Sequence, residues 1–433
     1  MINKRSMMIL LGLTILAVLS AYAVWGVKAQ APDLSPIEQL GKSMFFDKTL
    51  SINENQSCAV CHGPDAGWTG PVESINKHGA VYEGSIPGRF GNRKPPSSAY
   101  ATQSPILHFT KKAGGSWVGG NFWDGRATGE VLGNPAADQA VGPPLNHLEM
   151  ANPDAACVIW KVCQANYPVS FEDVWGDTAC DIAWPADIET TCATEGSTVD
   201  LSGADRDRVS QDYDSFGLSI AAFEASSEVN AFSSKWDASL KGQAKLTKQE
   251  RKGMALFEGK GECARCHTSS GDKALFTDYT YDNLGVPKNP ENPFYMELAF
   301  NPLGEDWVDY GLGGYLQNAG YPESVYEPEL GKVKVPTLRN VDLRPYPGFV
   351  KAYSHNGYFK SLESIVHFYN TRDVLPTCPG EYTEAQALAA NCWPAPEVAE
   401  NINTSEIGDL GLTPEEEADI VAFLKTLSDG YLP

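Results

Sequence analysis

Cys58-Ala59-Val60-Cys61-His62 and Cys263-Ala264-Arg265-Cys266-His267 stand one in each half of a 433-residue chain. Both read C-x-x-C-H, the attachment pattern of c-type haem. The spacing has a chemical reason. Two thiols three positions apart on one helical turn reach the two vinyl groups of a haem, and the His that follows falls beneath the iron as its proximal ligand. Zinc would need a second Cys or His pair close by, and a dithiol redox motif has no use for the His. The contexts repeat as well. Leu40-Gly-Lys-Ser-Met-Phe-Phe46 precedes the first motif and Gly253-Met-Ala-Leu-Phe257 precedes the second. This weak duplication predicts two cytochrome c-like domains, over 32–235 and 236–433, each wrapping one covalently bound haem.

Working outward, the pattern is mostly α with long loops. Ser35 as N-cap, Pro36 at the first helical position and Glu38 completing a capping box predict a helix over 36–46. Thr247 and Glu250 do the same for 247–257. Helical spacing recurs over 213–226. It recurs again over 361–369, where Leu362, Ile365, Val366 and Tyr369 make an apolar stripe. Thr413 and Pro414 open a last helix whose core face is Ile420, Phe423, Leu424 and Leu427. Residues 63–120 are rich in Gly, Pro, Ser and Asn and predict a long, functional loop. The stretch 153–205, rich in Cys and Asp, reads as a disulfide-tied insertion.

The N-terminus reads as a targeting segment over 1–31. Lys4 and Arg5 precede an apolar run from Met7 to Val27. Both Ala29-Gln30-Ala31 and Ala21-Tyr22-Ala23 resemble cleavage sites. The run is long enough to serve as a retained membrane anchor, so a cleaved export signal and an anchor are both open. Either places the working part outside the cytoplasm, in the periplasm or its equivalent. Outside the two motifs the six cysteines are Cys157, Cys163, Cys180, Cys192, Cys378 and Cys392. An even number in an exported chain reads as three disulfides. Nearest-neighbour pairing is the expectation: 157 with 163, 180 with 192, 378 with 392. The formal charge of −22 argues against nucleic acid as a partner, because phosphate binding needs clustered Lys and Arg.

The chain resembles the bacterial dihaem cytochrome c peroxidase superfamily, which includes the MauG-type enzymes. The residues that carry the likeness are Gly41-Lys-Ser-Met-Phe-Phe-Asp47, the two C-x-x-C-H motifs, Phe122-Trp-Asp-Gly-Arg126, Gln139-Ala-Val-Gly-Pro143 with Glu149-Met150, Val335-Pro-Thr-Leu-Arg-Asn340 and His355-Asn-Gly357. The resemblance implies two cytochrome c-type domains facing each other across a calcium-containing interface. It also implies a peroxide-reactive N-terminal haem and a C-terminal haem that supplies or stores electrons. In this family pattern Glu149 matches the distal acid–base, Gln139 the amide that positions peroxide, and Trp123 the tryptophan between the haems. Chemistry agrees, because splitting O–O needs a proton moved from the inner to the outer oxygen and a carboxylate can carry it. Asn92 is matched to an asparagine that serves the calcium.

Two histidine-loop features divide the reading. His78 follows His62 at the spacing of a His that caps the resting iron in the peroxidases and swings away on reduction. Tyr369 falls fourteen residues after His355, where typical peroxidases place a Met ligand to the second haem and MauG-type enzymes a Tyr. A neutral thioether favours ferrous iron; a phenolate is hard and anionic and favours higher oxidation states. Expected partners are hydrogen peroxide with either a small cytochrome or cupredoxin as electron donor, or a partner protein with an oxidisable Trp or Tyr. A non-catalytic dihaem electron carrier is the alternative from another class, and a pure carrier has no need of Glu149. His108, His147 and His367 match no motif and read as structural.

Overall fold

A computed structural model describes residues 33–111 and 115–432. The targeting segment lies outside the described residues. Among those residues no helix is long and apolar enough to cross a membrane. Among the described residues strand is confined to two short antiparallel ribbons. β1 (His108–Thr110) pairs with β2 (Ser116–Val118), and β3 (Tyr281–Asp282) pairs with β4 (Val333–Lys334). The rest is helix and long connections.

Helix α1 spans Pro36–Phe46. The Ser35 amide donates to the Glu38 carboxylate at 2.7 Å, as the capping box requires. A four-residue turn, α2 (Cys58–Cys61), carries the first motif. After the long loop come α3 (Pro135–Ala140), α4 (Ala155–Gln164) and the 23-residue α5 (Gly203–Ala225). The second half repeats the plan with α6 (Lys248–Glu258), α7 (Leu362–Thr371) and α8 (Pro414–Leu424). Thr247 and Glu250 cap α6 reciprocally, and Thr413 caps α8 through the Glu416 amide. Helix α5 opens ten residues before the predicted start, inside the stretch read as insertion. Its signal is the Ser202 hydroxyl, which accepts from the Asp205 amide at 3.2 Å.

The internal repeat is realised as two like helix crossings. Gly41 of α1 lies against α5 so closely that a Cβ there would sit 1.9 Å from the Ser219 carbonyl oxygen. Gly253 of α6 lies against α8 in the same way, its Cβ position 1.8 Å from the Asp419 carbonyl oxygen. Beside each crossing two rings meet edge to face: Phe45 with Phe223 (5.4 Å, 63°) and Phe257 with Phe423 (5.3 Å, 62°). A third ring joins each pair, Trp68 in one half and Phe276 in the other. Two hydrophobic cores follow the sequence halves. One is built on Leu40, Phe45, Phe216 and Ile220, the other on Phe257, Phe359, Phe368 and Phe423.

The disulfides correct the nearest-neighbour expectation at two of three bonds. The pairs are Cys157–Cys192, Cys163–Cys180 and Cys378–Cys392. Helical rise explains the difference. Cys157 and Cys163 both lie on α4, six residues and therefore about 9 Å apart along the axis, beyond the reach of one disulfide. Cys180 and Cys192 are recruited instead, one to each. The nested bonds tie the 165–202 excursion back onto α4.

Candidate functional site

The first motif opens onto a cavity lined by Cys58, Cys61, His62, Gln139, Glu149 and Glu224. Its continuation is bounded by His62, Gln139 and Glu224 again, with Tyr100, Trp123 and Tyr279. The His62 ring is held by its Nδ1, 3.3 Å from the Trp68 carbonyl oxygen. With Nδ1 engaged as a donor, Nε2 is the nitrogen left with a lone pair. Burial pushes His62 down to about 4 and Cys58 up to about 12, so the imidazole is neutral and the thiol protonated. Both free cysteines of the motif are half-buried.

Gln139 comes from α3, whose start is fixed by Asn134 accepting from the Ala136 amide at 2.8 Å. Glu149 comes from the turn that follows, where its amide donates to the Asn146 carbonyl. The Asn146 side-chain amide donates to Glu149 Oε1 at 2.9 Å. Burial raises the Glu149 carboxyl above its ordinary range, while the Arg126 guanidinium and the Asn146 bond pull it down. The cavity therefore holds a buried carboxyl group and a neutral amide among its walls.

The second motif opens onto a larger cavity. Cys263, Cys266, His267, His355, Ile365, Val366 and Tyr369 are among its walls. His267 repeats the first arrangement: Nδ1 lies 2.8 Å from the Phe276 carbonyl oxygen, and burial lowers its pKa. Tyr369 is delivered by α7, capped by the Ser361 hydroxyl on the Ser364 amide. Burial pushes its phenol above the ordinary range, and the nearby Cys263, Cys266 and Asp282 add to that. A phenolate in that place therefore needs a cation at its oxygen.

Trp123 lines both cavities. Its indole N–H donates to the Lys94 carbonyl at 2.8 Å, and its own carbonyl accepts from the Lys334 amide at 2.8 Å. The sequence-predicted Cys58, Cys61, His62, Gln139 and Glu149 are thus brought together at one cavity. Cys263, Cys266, His267 and Tyr369 are brought together at the other, with Trp123 between.

Two predicted residues are not brought in. His78 is 70% exposed and lines neither cavity; its Nδ1 sits 2.9 Å from Glu291 Oε1. The short turn over Glu73–Asn76 ends just before it, and Gly79 packs against the Glu291 carbonyl. Asn92 offers its backbone carbonyl to the Asn292 side-chain amide at 2.9 Å. Calcium takes six to eight oxygens, carboxylates prominent among them. Among the described residues three or more His, Cys, Asp or Glu donors converge only at Cys266, Asp282 and Glu406, where the Cys belongs to the second motif. No such cluster of acidic donors lies at Asn92 among the described residues. His108, His147 and His367 are held by local partners: the Ile106 carbonyl, the Phe300 ring and Glu417.

Sequence reasoning missed Glu224, a buried carboxyl on α5 pushed up to about 8 by burial. Its signal was present: Phe216, Ile220 and Glu224 fall at four-residue spacing, a carboxyl on an otherwise apolar stripe.

The paired thiols, the oriented imidazoles and the apolar walls fit two haems, and the comparisons with known proteins agree. The family model described as di-haem cytochrome c peroxidase matches residues 35–245. The methylamine utilization protein MauG of Paracoccus denitrificans is 31% identical over 96% of this chain and 94% of its own length. The cytochrome-c peroxidase IdrP1 of Denitromonas iodatirespirans is 26% identical over 96% of this chain and 92% of its own. Among solved structures, the diheme peroxidase BthA from Burkholderia thailandensis superposes with a TM-score of 0.68 at 28% identity, covering 92% of this chain and 87% of that one. The chain belongs to the di-haem cytochrome c peroxidase and MauG family, and is a peroxidase-type haem oxidoreductase.

Proposed function

We propose that hydrogen peroxide is turned over in the first cavity and that the second stores the oxidising equivalents, with Trp123 linking them. The observation that carries this reading is Gln139 and Glu149 lining the same cavity as His62. Cys58 and Cys61, and Cys263 and Cys266, would each hold one haem through thioethers, His62 and His267 would ligate its iron, and that iron would supply the redox chemistry. In that frame residues 32–235 and 236–433 each wrap one haem, in keeping with the two separate cores.

Glu149 does the proton work. As carboxylate it takes the proton from the inner peroxide oxygen; as acid it returns that proton to the outer oxygen, which leaves as water. The Gln139 amide donates to the peroxide and fixes its orientation. Complete turnover consumes two electrons and two protons and yields two waters. The electrons come from a redox protein or from an aromatic side chain of a partner protein. Tyr369 inside the second cavity and His78 outside the first favour the aromatic side chain. Tyr369 suits a low-potential haem that holds oxidising equivalents, and His78 stands exposed against Glu291 rather than at the wall of the first cavity. The export segment directs this chemistry outside the cytoplasm, whether it is cleaved or kept as an anchor.

A steady-state peroxide assay tests the reading, with small cytochromes, cupredoxins and Trp- or Tyr-containing proteins offered in turn. Turnover with none of them, under conditions where both haems are loaded, overturns it.

A further inference from the structure

Lysine ammonium groups, buried or half-buried, stand at the junction between the two halves, each seated among oxygen atoms. Lys351 is 4% exposed. Its Nζ donates to three carbonyls: Ala66 at 2.8 Å, Leu343 at 2.9 Å and Asn340 at 3.0 Å. Ala66 belongs to the first half and the other two to the second, so one ammonium ties the halves together. Gly67 makes room for it: a Cβ there would lie 2.7 Å from the Asn340 carbonyl oxygen and 3.1 Å from Lys351 Nζ. Lys334, on β4 in the second half, crosses the other way and donates to Ser104 Oγ at 2.5 Å and to the Gly120 carbonyl, both in the first half. Lys94 Nζ reaches Thr69 Oγ1 and the Pro95 carbonyl, each at 2.8 Å.

A cluster of backbone carbonyls contributed by two halves of a chain is what a hard cation asks for. Here the oxygens already have their cation. Three carbonyl acceptors need three N–H donors, which the ammonium has and the neutral amine lacks. Burial pushes all three ammonium groups below their ordinary range, Lys334 and Lys94 to about 7, and Lys94 adds to the push on Lys351; the oxygen acceptors around each Nζ favour the charged form against that. The same lysines frame Trp123. Its indole donates to the Lys94 carbonyl and its carbonyl accepts from the Lys334 amide. Two of the three lysines thus hold, through their own backbone, the residue that lines both cavities.

We propose that Lys351 and Lys334 supply, as fixed ammonium groups, cations that join the two halves, so that this enzyme needs no calcium at that junction. The inference stands apart from the peroxide chemistry, since it concerns how the halves are held.

The test uses the two-haem holoenzyme. Its calcium content after gel filtration is measured by elemental analysis, and its thermal midpoint is measured with and without EGTA. The expected result is well under one calcium per chain and a midpoint that EGTA leaves unchanged. One calcium per chain, removable by EGTA with a fall in midpoint that added calcium reverses, overturns the proposal. Lys351→Ala then empties the cage. The variant's midpoint is expected to fall and to recover in part with added methylammonium or calcium, to which the parent enzyme is indifferent. A midpoint equal to the parent's, or lowered but indifferent to both cations, overturns the assignment of Lys351. If that variant yields no folded protein, the metal content and chelator response of the parent decide alone.

Discussion

The Trp123 indole meets the His355 imidazole edge to face, with ring centroids 6.5 Å apart and planes at 68°. His355 is buried in the wall of the second cavity, and its Nε2 lies 3.6 Å from Glu397 and 3.9 Å from Asp309. Asp309 is paired in turn with Arg93, which also binds Asp124 beside Trp123. The tryptophan is therefore held by a ring contact on one face and by a hydrogen bond from its indole. Trp123→Phe keeps the volume roughly but deletes the 2.8 Å bond to the Lys94 carbonyl and the oxidisable indole. The expected stability cost is about 1 kcal/mol. Both haems should stay bound while oxidising equivalents no longer pass between them. Stopped-flow spectra after one equivalent of peroxide check this: changes confined to one haem support the link, and parent-like changes at both refute it.

Glu149→Gln should lower peroxide turnover by roughly 10²–10⁴ with both haems retained. A pH effect follows from the same environment. Burial raises the Glu149 carboxyl, and Arg126 opposes the rise. The base form accepts the peroxide proton, so activity should fall on acidification, and at a higher pH than an ordinary carboxylate would give. Arg126→Gln removes the opposing charge and should move that acidic limb higher still. A limb that moves down, or does not move, separates Glu149 from the titration seen in the pH–kcat/KM profile.

Tyr369→Phe removes one oxygen from the second cavity and leaves the α7 stripe apolar. If the phenolate binds the second iron, its reduction potential should rise and the low-spin absorption of that haem should change. Spectroelectrochemical titration reads both. An unchanged potential makes Tyr369 an aromatic of the cavity wall, and the case for a partner's aromatic side chain as final reductant falls with it.

The parts of this design that the sequence revealed are those written in local pattern. The two C-x-x-C-H motifs, the capping boxes of α1 and α6 and the glycine-led helices all lie within a dozen residues of chain, and all appear where expected. The connectivity of Cys157 and Cys163 was hidden because it depends on where a distant excursion returns to α4. The start of α5 was hidden because Ser202 and Asp205 sit in a stretch whose composition suggests loop. The lysine cages were hidden for a deeper reason. Lys351 meets the carbonyls of Ala66, Asn340 and Leu343, and a backbone carbonyl carries no signature of the residue that owns it.

The repeated crossing gives the sharpest test of the fold. A Cβ at Gly253 would lie 1.8 Å from the Asp419 carbonyl oxygen, which is helix backbone and cannot rotate away. Gly253→Ala must therefore push α6 off α8 and loosen the contact of Phe257 with Phe423. Overpacking of this kind costs about 1–3 kcal/mol, roughly 2–12 °C in thermal midpoint for a domain of this size. The damage should be local to the second half, with the first half's haem absorption preserved. Gly41→Ala should do the converse through Ser219. Gly203→Ala is the control, because it sits at the exposed start of α5 with open space around its Cβ position; there alanine should be neutral or slightly stabilising. Equal midpoints for all three variants would mean that the crossings tolerate separation, and that the duplicated glycines are not what sets the helix packing in the two halves.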